Sequence, residues 1–370
     1  MLRRFIILTL LIFSSSTFAT AQTSTNESEN AIRNRRNAWT IGMASGQLEG
    51  LYPRFAAEIA RVLDDGDNLR ILPYLAYGAA SNIEDLLYLR GIDIAFTQSD
   101  ALEYFKTERK VRNLPGRISY LMRLYTTEVH ILATADIKTL EDLRGKKVSF
   151  GPPGNSAALT GQIIFERLAI PIDAKLIDHT QGLEQLRHGE ISALVRVVGK
   201  PVDYFTKIAP DSGLHFLTIP GKQVFNDLYS YGELTGDDYP TLVRKGETID
   251  TIAVPTVLAV FNWPRNSDRW QRLQKFTNAM FAKFDRFQQP PFHPKWREVN
   301  LAADVPGWTR SPLADAALKS LTPEAQAGSD SKAFEDFLRA TQGGKSVNSA
   351  QREKLFREFI SWRAQQSVRP

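Results

Sequence analysis

Lys147–Leu168 reads KVSFGPPGNSAALTGQIIFERL, and this stretch decides the fold. Val148 and Phe150 mark a buried strand, Gly151–Gly154 a turn, and Leu159, Ile163, Ile164 and Leu168 one face of a helix. Gly151 and Gly154 can take backbone angles closed to other residues, while Pro152 and Pro153 stiffen the turn. Asn155 and Ser156 stand where the helix cap is expected. The start of such a helix leaves N–H groups unpaired beside the positive end of the helix dipole, a seat for an anionic group. The same strand–turn–helix also occurs in proteins where it binds nothing.

Working outward, strands and helices alternate. Upstream come a strand at Trp39–Ala44, a loop at Ser45–Gly50 and an amphipathic helix at Leu51–Leu63. A strand at Arg70–Leu75, a helix capped by Ser81 and closed by Gly91, and a strand at Ile92–Phe96 follow. Downstream, Ala174–Ile177, Gln181–His188 and Ile191–Val198 read as strand, helix and strand. Leu89-Arg90-Gly91-Ile92-Asp93-Ile94 and Leu186-Arg187-His188-Gly189-Glu190-Ile191 hold the same place in two copies of one unit. Alternation of this kind predicts parallel sheets, here in two similar α/β lobes. Two long β-like runs, Ile118–Thr134 and Thr251–Phe261, are placed to carry the chain from lobe one to lobe two and back.

Arg3 and Arg4, the apolar run Phe5–Phe13 and Ala19-Thr20-Ala21 form the pattern of a cleaved secretory signal over residues 1–21. The run is shorter than the roughly 20 apolar residues a bilayer demands, which points to a soluble protein exported to the periplasm. Loss of Arg3 and Arg4 lowers the formal charge from +5 to +3, too mild a surplus to point to nucleic acid. With no cysteine there is no disulfide and no thiol chemistry. The expected organisation is a flexible lead at 22–37, lobe one at 38–128 and 256–322, lobe two at 129–255, and a helical extension at 323–370. Lys332–Ala340 and Ser349–Trp362 are its two helices.

Ligands of open α/β lobes bind beyond the C-terminal ends of the strands. Four loops qualify: Ser45–Tyr52, Thr97–Asp100, Gly151–Ser156 and Arg196–Pro201. The candidate contacts are Ser45, Tyr52, Gln98, Ser99, Gly154, Asn155, Ser156, Arg196 and Gly199. Most offer neutral hydrogen bonds. Arg196 interrupts an apolar strand, so it either pairs with an internal acid or grips a ligand carboxylate. Glu49, a carboxylate at the mouth, would attract an ammonium and, with Arg196, suit an amino-acid-like ligand. No nucleophile elbow, zinc-protease motif or phosphate loop is present, and the five histidines lie far apart. The expectation is a binding protein rather than an enzyme, with no metal and no cofactor.

Asp142-Leu143-Arg144-Gly145-Lys146-Lys147-Val148 through Gly151-Pro152-Pro153-Gly154-Asn155-Ser156 resembles the D-L-x-G-K-x-V-x-x-G-x-x-G-S segment of TAXI-type solute-binding subunits of TRAP transporters. Leu124-Tyr125 with His130, Asp93-Ile94-Ala95 through Gln98-Ser99-Asp100, Tyr52-Pro53, and Gly199 with Pro201 are similar to further motifs of that family, in order. The resemblance implies a type II periplasmic-binding-protein-like fold: two hinged lobes, each a mixed, mostly parallel sheet flanked by helices. It also implies capture of a small organic anion or amino acid by a monomer and delivery to TRAP membrane permease subunits. On the same ground Tyr52, Gln98, Ser99, Gly154, Asn155, Ser156 and Gly199 would lie at the cleft. The alternative of another kind is a ligand-sensing or scaffolding protein that docks a membrane sensor or complex through 323–370.

Overall fold

A computed structural model describes residues 29–321 except 67, 108, 221–224 and 226, together with the single positions 334, 338 and 355. The expected signal segment and nearly all of the C-terminal extension lie outside the described residues. Among those described, no helix is long and apolar enough to cross a membrane. The chain separates into two compact units between Ser311 and Pro312. The helix Pro312–Ser320 therefore falls in the second unit, not in lobe one as expected.

Residues 29–38 form helix α1, exposed along its length, where the polar composition suggested an irregular lead. Ten strands then build one mixed sheet rather than two separate ones. The first half contains β1 (Thr40–Ala44), α2 (Leu51–Leu63), β2 (Arg70–Tyr74), α3 (Ala79–Tyr88) and β3 (Ile92–Gln98), with α4 (Ala101–Thr107) and α5 (Leu114–Arg117) after them. The second contains β5 (Lys147–Ser149), α6 (Ser156–Arg167), β6 (Asp173–Lys175), α7 (His179–Arg187), β7 (Ala193–Val198) and α8 (Asp203–Thr206). In each, the first strand lies in the middle and pairs in parallel with the next two. Gly91 and Gly189, the paired glycines of the sequence repeat, both take positive φ, +90° and +70°. Only the absence of a side chain makes that angle unstrained.

Two long strands join the halves. β4 (Ile118–Ala133) leaves the first and ends antiparallel to β7; β10 (Thr248–Phe261) returns and ends antiparallel to β3. They pair with each other through the middle, with register shifts at Pro255/Val257 and at Leu258/Ala259. The short β8 (His215–Phe216) and β9 (Ser230–Thr235) flank them. The order β2-β1-β3-β10-β4-β7-β5-β6 is thus two similar α/β halves exchanging one strand each. This is the expected α/β architecture of two similar halves, each a mixed, mostly parallel arrangement of strands flanked by helices. Both crossing strands are buried on both faces where they meet, so they read as near-continuous apolar runs.

Local chemistry explains most boundaries. Asn155 caps α6, its Oδ1 accepting the Ala158 amide at 2.6 Å. Asp142 accepts the amides of Lys138 and Thr139, at 2.9 and 2.8 Å, as the Thr139-x-x-Asp142 spacing predicts. Ser81 is not the cap of α3. Gly78 is, and the Ser81 hydroxyl sits one turn in, 3.1 Å from the Gly78 amide.

Candidate functional site

The C-terminal ends of β1, β5 and β7 and the crossing segment of β4 open onto one recess between the halves. The recess is narrow, with a cavity volume of about 50 Å³, well below the few hundred cubic ångströms usual for small-ligand sites. The first half contributes Gly46–Gln47, Gly50–Tyr52 and Tyr77–Gly78; the second contributes Asn155–Ala157, His179 and Arg196–Gly199; Tyr125 and Thr127 come from the crossing strand.

Of the residues singled out in the sequence, Tyr52, Asn155, Ser156, Arg196 and Gly199 line this recess. Tyr52 stacks on Phe96 with ring centroids 5.3 Å apart, and its hydroxyl donates to the Thr97 carbonyl at 3.3 Å. Burial raises its pKa far above the ordinary phenol value, so it acts as a neutral donor. Gly199 meets the first half at close quarters. A Cβ there would lie 2.7 Å from Leu51 Cδ1 and 2.8 Å from Lys295 Cε.

Ser45, Gln98, Ser99 and Gly154 do not line it: the fold itself uses the side chains of Ser45 and Gln98 and the backbone of Ser99 and Gly154, while the Ser99 hydroxyl is buried without a partner. The Ser45 hydroxyl donates to the Tyr74 carbonyl at 2.6 Å. Gln98 is fully buried, its amide donating to Thr127 Oγ1 at 3.2 Å and its carbonyl oxygen accepting from Thr160 at 3.3 Å. Ser99 is held through its backbone, the amide on Pro255 and the carbonyl on the Trp308 indole at 2.8 Å. The Gly154 carbonyl accepts the amides of Ala80 and Ser81. The Thr97–Asp100 loop therefore braces the halves against each other instead of reaching a ligand. Asp100 there accepts Thr160 at 2.7 Å and Tyr229 at 2.9 Å, and burial lifts its pKa to about 6.

Arg196 is 6 % exposed on β7, on the same strand face as Leu194 and Val198. Among the described residues its side chain makes no ion pair and no hydrogen bond, and its Nε is buried without a partner. The guanidinium rests against the Tyr204 ring, 5.4 Å from its centroid. A buried charge ordinarily has a counter-ion. Glu49, expected at the mouth to meet a ligand ammonium, is exposed and not in the lining. Glu128 sits behind the recess wall, taken up by the Lys200 amide at 2.9 Å and by Lys295 at 3.6 Å.

Two of the lining residues that the sequence did not single out carry unpartnered polar groups. Tyr125 and His179 each carry a buried polar atom, Oη and Nδ1, without a partner. Since the Asn155 oxygen takes the Ala158 amide, its Nδ2 is the donor toward His179 Nε2 at 3.0 Å. That network assigns the His179 proton to Nδ1. Burial, with the Arg196 charge adding to it, lowers the His179 pKa to about 2, so the ring is a neutral donor. His130 behind it has a pKa lowered to about 3 by burial and is locked between the Glu128 carbonyl and the Tyr239 hydroxyl. Tyr125 carried a signal, since it stands in the Leu124-Tyr125 motif; His179 carried none, being one histidine among five.

The profile of the NMT1-like family matches residues 43–322, most of the chain and every element that shapes the recess. The protein belongs to the NMT1-like family. Solved structures similar to this NMT1-like chain include an ancestral arginine-binding protein bound to arginine, at 14 % identity and a TM-score of 0.41, covering 68 % of this chain and 96 % of that one. The substrate binding protein of an amino acid ABC transporter matches at 13 % identity and a TM-score of 0.41, over 67 % and 97 %. A histidine kinase sensor domain with similarity to periplasmic binding proteins matches at 16 % and 0.43, over 72 % and 98 %.

Proposed function

We propose that this protein is a periplasmic solute-binding receptor, not an enzyme, that takes a small organic anion or an amino acid into the recess between its halves. The observation that carries the reading is Arg196: a buried guanidinium on the recess wall with no carboxylate among the described residues to neutralise it. A ligand carboxylate would supply the missing charge bidentately. Closure of the two halves on that ligand would then present one conformation to a membrane partner, set by the ligand's greater affinity for the closed state.

The finer reading is delivery to TRAP-type permease subunits. It is supported by the ordered TAXI-like motifs at Tyr52-Pro53, Asp93–Asp100, Leu124-Tyr125 and Asp142–Ser156.

Thermal unfolding against a panel of carboxylates and amino acids tests binding. A ligand at 100 times its Kd stabilises by about 2.7 kcal/mol. At least one member should raise Tm, and Arg196→Gln should remove the rise. No stabilisation by any member would contradict the reading. Uptake into vesicles carrying the cognate permease, measured with and without the protein, tests delivery. Binding without any uptake would leave a sensing role in its place.

A further inference from the structure

We infer that the recess selects an organic monoanion bearing no ammonium group, so that it discriminates against zwitterionic amino acids; this rests on the receptor reading above. The lining holds one formal positive charge, Arg196, and no carboxylate. The acids around it are spoken for or outside it: Glu128 is bound by Lys200 and Lys295, Asp100 by Thr160 and Tyr229, and Glu49 and Asp178 are exposed, Asp178 accepting the Thr180 amide. An ammonium brought into this recess would find no counter-charge and would face a guanidinium. A desolvated, unpaired charge is among the costliest things a binding site can hold.

The free polar atoms tell the same story from the other side. The orphaned side-chain groups of the lining, Arg196 Nε, His179 Nδ1–H and the Tyr125 hydroxyl, each bring an N–H or O–H. The Arg196 and His179 groups can only donate, as an anionic oxygen requires and an ammonium cannot use, and the Tyr125 hydroxyl can donate beside them. His179 stays uncharged because its ring is buried beside the Arg196 charge and Asn155 occupies its other nitrogen, so the recess keeps a single positive charge near neutrality. One negative charge on the ligand balances it; a second would be left unpaired.

Matched pairs differing only in the α-ammonium test this: propionate against alanine, 4-methylpentanoate against leucine, 3-phenylpropionate against phenylalanine. Succinate against butyrate tests the charge count. Calorimetry on the full chain should show the acid of the best-binding pair at least about a hundredfold tighter than its amino acid, and butyrate tighter than succinate. His179→Gln should weaken the acid about tenfold. Arg196→Lys, which keeps the charge and guards against a folding defect, should retain more affinity than Arg196→Gln. An amino acid binding as tightly as its deaminated partner would overturn the inference while leaving the receptor reading intact. Failure of every compound of both series to bind would overturn both.

Discussion

The Gly154 carbonyl accepts the Ser81 amide at 3.0 Å, joining the turn of the second half to the first turn of α3 in the first half. The Ala80 amide shares that carbonyl at 3.1 Å. Donors at a helix start that could hold an anion are thus used to hold the halves together. Gly154 can serve because φ is +79° and a Cβ would press on Ser81 Cβ at 3.0 Å. Gly154→Ala should therefore weaken ligand binding while leaving every lining side chain in place. A fluorescent-pair distance across the halves should show incomplete closure with ligand. Unchanged affinity and distance would mean this contact is not part of closure.

Gly151 is a sharper case. A Cβ there would lie 2.2 Å from both Asn155 Nδ2 and His179 Cε1, at a φ of +75°. The backbone alone costs about 1–2 kcal/mol for a residue with a side chain. Gly145 provides the control, with a φ of +70° and nothing within 4 Å of a Cβ. Denaturant unfolding should show Gly145→Ala losing about that backbone cost and Gly151→Ala losing more. Only Gly151→Ala should also lose ligand affinity, because the Asn155–His179 pair must separate.

The Lys295–Glu128 pair fixes the floor of the recess from behind. Both side chains are largely buried, 3.6 Å apart, and Lys295 also reaches the Thr126 carbonyl at 3.2 Å and Glu298 at 3.2 Å. Lys295→Met should cost about 3 kcal/mol or more, since it leaves the Glu128 carboxylate buried with only backbone donors. Glu128→Gln should cost less, because its amide oxygen can still accept the Lys200 N–H. Urea midpoints of the two variants check the order.

Acid stability follows from the two buried histidines. His179 and His130 titrate near 2 and 3 in the fold, below the 6.5 of an unperturbed histidine. Between those limits the unfolded chain binds protons that the folded chain refuses, so their contribution is lost as pH falls below about 6.5. Asp100 works in the opposite sense: its folded pKa of about 6 exceeds the ordinary 3.8, so its contribution is present at low pH and lost as pH rises through 6. His179→Gln should flatten the acid loss by on the order of 1 kcal/mol per pH unit below pH 6, relative to the unaltered chain. Denaturation at pH 7, 5.5 and 4.5 checks it; parallel profiles would place the His179 pKa near its usual value.

The scaffold was legible because its signals are local. The Asn155 cap, the glycine turns at Gly91 and Gly189 and the apolar runs of β4 and β10 depend on neighbours in sequence. The single continuous sheet was less so, because exchange of β4 and β10 between halves is a pairing across 130 residues or so. The site divided along the same line. Arg196 stood out as a charge in an apolar strand. Gln98 and Ser99 looked equally polar, yet Thr127 and Thr160 claim the Gln98 side chain and Trp308 holds the Ser99 backbone carbonyl, and those partners are distant in the chain. The His179 donor exists only because Asn155, already held by Ala158, turns its amide toward Nε2.

The most direct measurement is a crystal structure of the protein with the tightest-binding carboxylate. The carboxylate should sit between the halves with an oxygen about 3 Å from the Arg196 guanidinium, and His179 Nδ1 or the Tyr125 hydroxyl should donate to it. A ligand bound elsewhere, with the Arg196 side chain still unpaired, would contradict the proposed site.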